Sequence, residues 1–135
     1  MCPDDLNALR VIRQHRLHRV ERQMNAQRRG LDALDEQITK SRQAMETASV
    51  QYGEQRRVLG SEHQNTTLCV SQLKQWGQQE KQLIEALNTR QRDIDQLLED
   101  REEQRIKLDE TRRSLKARRL GLEKLDALHH MIQEV

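Results

Sequence analysis

Leu17, Met24, Leu31, Ile38, Met45, Tyr52 and Leu59 stand at intervals of seven, and every one of them is apolar or aromatic. An apolar residue repeating in this way marks one seam of a helix that must bury a narrow stripe against another helix. A companion seam three residues on is more polar: Val20, Gln27, Leu34, Ser41, Ala48 and Gln55. The second half of the chain repeats the pattern. Leu73, Leu87, Ile94, Leu108, Leu115 and Leu122 share one phase, interrupted by Glu80 and Arg101. Trp76, Leu83, Leu97, Leu125 and Ile132 hold the other, with Arg90, Gln104, Thr111 and Arg118 between them. A heptad sustained this long imposes a left-handed supercoil and leaves little room for any other fold.

Composition removes the main competitors. Phe is absent, Tyr, Trp and Pro occur once each, and 34% of the chain is apolar, too little to fill a globular core with 135 residues. Disorder would demand a high net charge and no apolar period. Here the net charge is +2, with both signs interspersed among helix-forming Ala, Leu, Glu, Lys, Gln and Arg. No stretch has the apolar length of a membrane span and the N-terminus lacks a signal-peptide apolar region, so the expected compartment is the cytoplasm, without membrane insertion. Cys2 and Cys69 lack metal-type spacing and read as free thiols.

The pattern fails over residues 60–67, Gly-Ser-Glu-His-Gln-Asn-Thr-Thr, which join a helix-stopping Gly to residues that favour turns and N-caps. The expected fold is therefore all-α, two long helices forming an antiparallel coiled-coil hairpin in a single domain spanning 1–135. Helix 1 is expected over about 5–59, the turn over about 60–66, and helix 2 over about 67–133. Asn65 or Thr66 would cap helix 2, and Asp4 and Asp5 after Pro3 suit the start of helix 1. At about 1.5 Å per residue each helix would be some 80–100 Å long. A turn centred on residue 64 pairs residues whose numbers sum to about 128, setting Tyr52 beside Trp76, Met45 beside Leu83 and Val20 beside Leu108. That register leaves Gln27 facing Arg101, Ile38 facing Arg90 and Ala48 facing Glu80. Closure of the seam within one chain makes a monomer the expected state.

Residues 10–22 place an arginine at every third position, so their charges wind round the helix. Arg13, Arg16 and Arg19, with Arg112, Arg113, Arg118 and Arg119 from the other half, are candidates for docking on an acidic protein; a solvated flank is the plain alternative. Nucleic-acid binding is not expected, because Leu17 and Val20 put the seam inside the basic segment and no aromatic stacking platform accompanies it. His15 and His18, with His129 and His130, have the residue type of a metal site, but the expected register separates the two pairs by roughly 24 Å. No metal and no cofactor is expected. No phosphate loop, nucleophile elbow or closed pocket is recognisable, so no catalytic residue is assigned and the chain is expected not to be an enzyme.

Three segments together carry a resemblance. They are Leu9-Arg10-Val11-Ile12-Arg13 with Val20-Glu21-Arg22; Asn65-Thr66-Thr67-Leu68-Cys69 running into Leu73-Lys74-Gln75-Trp76; and Arg118-Arg119 with Glu123-Lys124-Leu125. In these the chain resembles the YscO group of type III secretion proteins, relatives of the flagellar export protein FliJ. The resemblance covers nearly the whole chain, and the Asn-Thr-Thr-Leu to Trp segment is its most specific part. It implies a stalk on the cytoplasmic side of a bacterial inner membrane, peripheral to the secretion apparatus. Its implied partners are a hexameric secretion ATPase, the cytoplasmic domain of the export gate and secretion chaperones. Trp76 is expected to pack against Tyr52, both being seam positions; as its alternative role it joins the arginines as a candidate protein-binding residue. A generic cytoplasmic coiled-coil scaffold or adaptor is the competing expectation.

Overall fold

The computed structural model describes residues 3–62 and 69–134. Two helices account for nearly all of them, α1 (Pro3–Glu62) and α2 (Val70–Glu134), and they form the antiparallel hairpin that the two seams demand. Pro3 opens α1 at the position where its missing N–H costs nothing, and Asp4 and Asp5 lie at the positive end of the helix dipole. No described helix is long and apolar enough to cross a membrane.

The helix limits differ from the expected ones around the break. Gly60 does not stop α1, which continues through it to Glu62. A terminating Gly works by turning left-handed, and no described glycine has a positive φ. The expected caps Asn65 and Thr66 lie outside the described residues. Cys69 occupies the N-cap position of α2, its carbonyl accepting from Gln72 N at 3.1 Å and Leu73 N at 3.2 Å. Gln72 Oε1 in turn accepts from Cys69 N at 3.2 Å, half of a capping box.

The contacts divide the hairpin into two units. Unit 1 comprises residues 1–33 and 101–135. Its core is Leu6, Leu17, Val20, Leu108, Leu115 and Leu125, all buried, with Met24 and Leu122 packed against Leu17, Val20 and Leu115. Burying each such side chain is worth about 1.5–3 kcal/mol, which a lone helix cannot obtain. Thr111 occupies a seam position and is buried as well; its hydroxyl is satisfied by the Lys107 carbonyl one turn back, at 3.0 Å. Charges bridge the helices on the flanks. Arg10 Nε lies 2.8 Å from Asp126 Oδ1, and Arg119 Nη2 lies 3.5 Å from Glu21 Oε1.

Unit 2 comprises residues 34–100. Ile38 and Ile94 are its buried apolar residues, while Met45, Ala48, Tyr52, Leu59, Trp76, Leu83, Leu87 and Leu97 are half-buried. Leu73 sits on the seam yet is exposed. Tyr52 donates its hydroxyl to Glu80 Oε1 at 3.2 Å, and Arg56 Nε approaches the same oxygen at 3.6 Å.

The register is about one heptad away from the expected one in both units. Contacting residues have numbers that add to between 132, for Tyr52 and Glu80, and 140, for Glu21 and Arg119. Moving one helix by a whole heptad returns every residue to its own seam, so the period is blind to the move. Charge is not. The expected register sets Arg10 against Arg118, whereas the observed one gives Arg10 a carboxylate. Val20 accordingly packs with Leu115 rather than Leu108. Ala48 shares a cleft with Leu87 instead of facing Glu80. Tyr52 and Trp76 line one small cavity with Arg56, Leu59, Glu80 and Leu83.

Candidate functional site

Lettering the heptad with Leu17 at a and Val20 at d puts Leu6, Arg13 and Arg118 at d positions and Arg16, Ser114 and Gly121 at g positions. In an antiparallel pair the g flanks of the two helices meet. Unit 1 accordingly has a groove lined by Arg13 and Arg16 from α1 and by Ser114, Ala117, Arg118 and Gly121 from α2. Arg13 reaches across to α2, where Nη1 donates to the Gly121 carbonyl at 3.4 Å. Gly121 has no side chain to fill the floor; a Cβ there would stand 3.4 Å from the same Arg13 nitrogen.

The seven candidate arginines therefore separate into groups. Arg13, Arg16 and Arg118 converge on the groove. Arg119 lies on the opposite, e-flank with Glu21, and Arg112 is 3.7 Å from Asp109 on its own helix. Arg19 and Arg113 are exposed at outer c and f positions. Arg13, Arg16 and Arg118 have no carboxylate partner among the described residues, although Arg10 and Arg119 beside them do. Residues 10–22 and 112–126 together contain eleven Arg and Lys against three Asp and Glu, a formal +8 in a chain whose total is +2. Trp76, the remaining candidate, belongs to unit 2, where it is half-buried.

Among the described residues the histidines do not meet. His18 Nδ1 is 3.4 Å from Glu21, His130 Nε2 is 3.2 Å from Glu134, and His129 Nε2 is 3.1 Å from Gln133, each a contact along its own helix. No group of three or more His, Cys, Asp or Glu among the described residues could hold a metal ion. Cys69 is a free, exposed thiol. Its pKa is lowered by the Ser71 hydroxyl, whose Oγ is 3.0 Å from Sγ, and by the backbone N–H of Gln72 at the start of α2.

The sequence named the arginines but not Gly121, Ser114 or Ala117. Two signals were present in it: arginine at seam positions, 13 and 118 among them, and a glycine within a helix-forming segment. Bringing them together required the register. Unit 2 has a concavity of a different kind, an open groove with Val58, Leu59 and Leu83 among Glu54, Glu62 and three glutamines.

No family model, curated protein or solved structure matches the chain.

Proposed function

We propose that this protein is a coiled-coil stalk of a bacterial type III secretion export apparatus, acting by binding and not by catalysis. Its arginine-bearing unit docks on acidic surfaces in the pore of a hexameric secretion ATPase, and the chain links that ATPase to the cytoplasmic domain of the export gate. Secretion chaperones are further partners, and the protein works in the cytoplasm beside the inner membrane.

The observation that carries the reading is a two-helix hairpin on which arginines from both helices converge without internal carboxylate partners among the described residues. A long-range attraction of this kind steers a charged element toward an oppositely charged ring and sets its orientation. The resemblance of Asn65-Thr66-Thr67-Leu68-Cys69 and Trp76 to the YscO group supplies the identity of the partners. Immobilised protein should retain the secretion ATPase and the soluble gate domain encoded in the same genome, with retention of the ATPase falling as salt rises. Retention of neither contradicts the proposal and leaves the scaffold reading in its place.

A further inference from the structure

We infer that the groove formed by Arg13, Arg16, Arg118 and Gly121 is a receptor for carboxylate side chains of an acidic protein segment. The inference rests on the proposed docking of unit 1 on an acidic partner.

Three seam positions in this region, 10, 13 and 118, carry arginine where leucine would lengthen the core, and of these Arg10 is paired with Asp126. Leu17 and Leu115, the adjoining seam residues, are buried to 8% and 3% exposure. Arg13 and Arg118 are exposed instead, and both line the groove. Placing them there forgoes apolar burial on either side of a well-packed cluster, and no carboxylate among the described residues of unit 1 compensates either charge. Gly121 is a weaker helix former than Ala and so costs α2 some stability. It also keeps the floor open between the guanidiniums, and its carbonyl accepts from Arg13 across the helix pair. Both departures from the best coiled-coil sequence fall at one place.

The chemistry selects the ligand class. A guanidinium presents parallel N–H donors that match the two oxygens of a carboxylate. Arg13 uses one donor on Gly121 and has others to offer, while Arg16 and Arg118 approach the groove from the two different helices. The Ser114 hydroxyl adds a neutral donor on the wall. A nucleic-acid strand would need aromatic faces for its bases, and unit 1 contains no Phe, Tyr or Trp. An acidic peptide needs only spaced carboxylates, and the surrounding +8 draws it in.

The test uses the full chain and a fluorescent glutamate–serine repeat peptide, read by anisotropy at low and moderate salt. The glutamine–serine counterpart and an oligothymidine of equal formal charge are the comparators. Gly121→Leu fills the floor without changing charge, and Leu is a better helix former than Gly, so helicity by circular dichroism should be retained. Binding of the glutamate peptide should fall at least about tenfold in Gly121→Leu and in Arg13→Gln/Arg118→Gln, the order expected for losing charge-assisted pairs. Arg19→Gln/Arg113→Gln removes the same charge outside the groove and should cost less than about threefold. Equal losses from the two arginine pairs would overturn the groove in favour of diffuse attraction, as would unchanged binding in Gly121→Leu. Tighter binding of oligothymidine than of the glutamate peptide would overturn the ligand class. Because no secretion component is present, peptide binding without ATPase capture would refute the stalk while the groove stood, and ATPase capture undiminished by Gly121→Leu would do the reverse.

Discussion

Units 1 and 2 are made from the same two seams, yet they pack differently. Unit 1 buries Leu6, Leu17, Val20, Leu108, Leu115 and Leu125, while unit 2 buries Ile38 and Ile94. In unit 2, Leu73 is exposed despite its seam position. The difference follows from what fills the seam. Unit 1 sets leucines of α2 at Leu108, Leu115, Leu122 and Leu125, with the internally satisfied Thr111 and the exposed Arg118 among them. Unit 2 offers Ser41, Ala48 and Gln55 from α1 and Glu80 and Arg90 from α2, side chains too small or too polar to seal an interface. Periodicity settles which residues face inward; the volume and polarity of each layer settle how much water is excluded.

The largest predicted contrast is between core truncations. Leu115→Ala should destabilise the chain by about 2–4 kcal/mol, because the site cannot collapse around the missing atoms. Leu83→Ala in unit 2 should cost roughly half as much, since its side chain is already part-hydrated. Thermal melts followed by circular dichroism measure both. Equal losses would mean that the two units pack equally well.

Trp76 sharpens the contrast within unit 2. It lines a cavity with Tyr52, Leu59 and Leu83 and is half-buried, so Trp76→Ala should cost about 1–3 kcal/mol, below the roughly 3–5 kcal/mol of a sealed site. Tyr52→Phe removes only the hydroxyl that donates to Glu80 and should cost about 0.5–1.5 kcal/mol. The cycle Tyr52→Phe with Glu80→Gln should be non-additive. Additive, near-zero effects from Trp76→Ala would move that side chain from packing to a binding role.

The smallest effect should be common to both units. Glu54 in unit 2 is held below the ordinary carboxylate value by the hydrogen bond and charge of Arg57, and Glu102 in unit 1 by the hydrogen bond of Arg105. A depressed carboxyl pKa adds stability above the unfolded value, and that stability is lost as pH falls through the folded one. The loss belongs to the acid limb alone. Arg57→Gln and Arg105→Gln should each raise the titration midpoint of their own glutamate, followed by carboxyl NMR, with little change in melting near neutral pH. A marked difference between the two glutamates would show that the local fields of the units differ as much as their cores do.

The sequence made the seam legible to individual residues. On α1, Leu17, Val20, Met24 and Ile38, and even the polar Gln27 and Ser41, turn inward or part-inward as their spacing requires. Ile94, Leu108 and Leu115 do the same on α2. Register escaped, because a shift of one heptad leaves every seam unchanged. Gly60 misled as a stop signal since nothing forces it out of helical geometry, and the Cys69–Gln72 cap was hidden behind the more familiar capping types Asn65 and Thr66. The groove was half legible for the same reason. Its arginines stood out by composition, but only the observed register separates Arg13, Arg16 and Arg118 from Arg112 and Arg113 and brings Gly121 between them.

How α1 lies against α2 decides which side chains meet, and paired cysteines test that directly. In a Cys2→Ser/Cys69→Ser background, Val20→Cys/Leu115→Cys joins two residues of one core cluster, while Val20→Cys/Leu108→Cys reaches one heptad further along α2. A heptad is about 10 Å of helix, beyond the roughly 6 Å between Cα atoms that a disulfide spans. Under mild oxidation the first pair should close within a single chain of 16.0 kDa, and the second should not. Closure of the 20–108 pair instead would contradict the register, and bridging only between chains would contradict the hairpin.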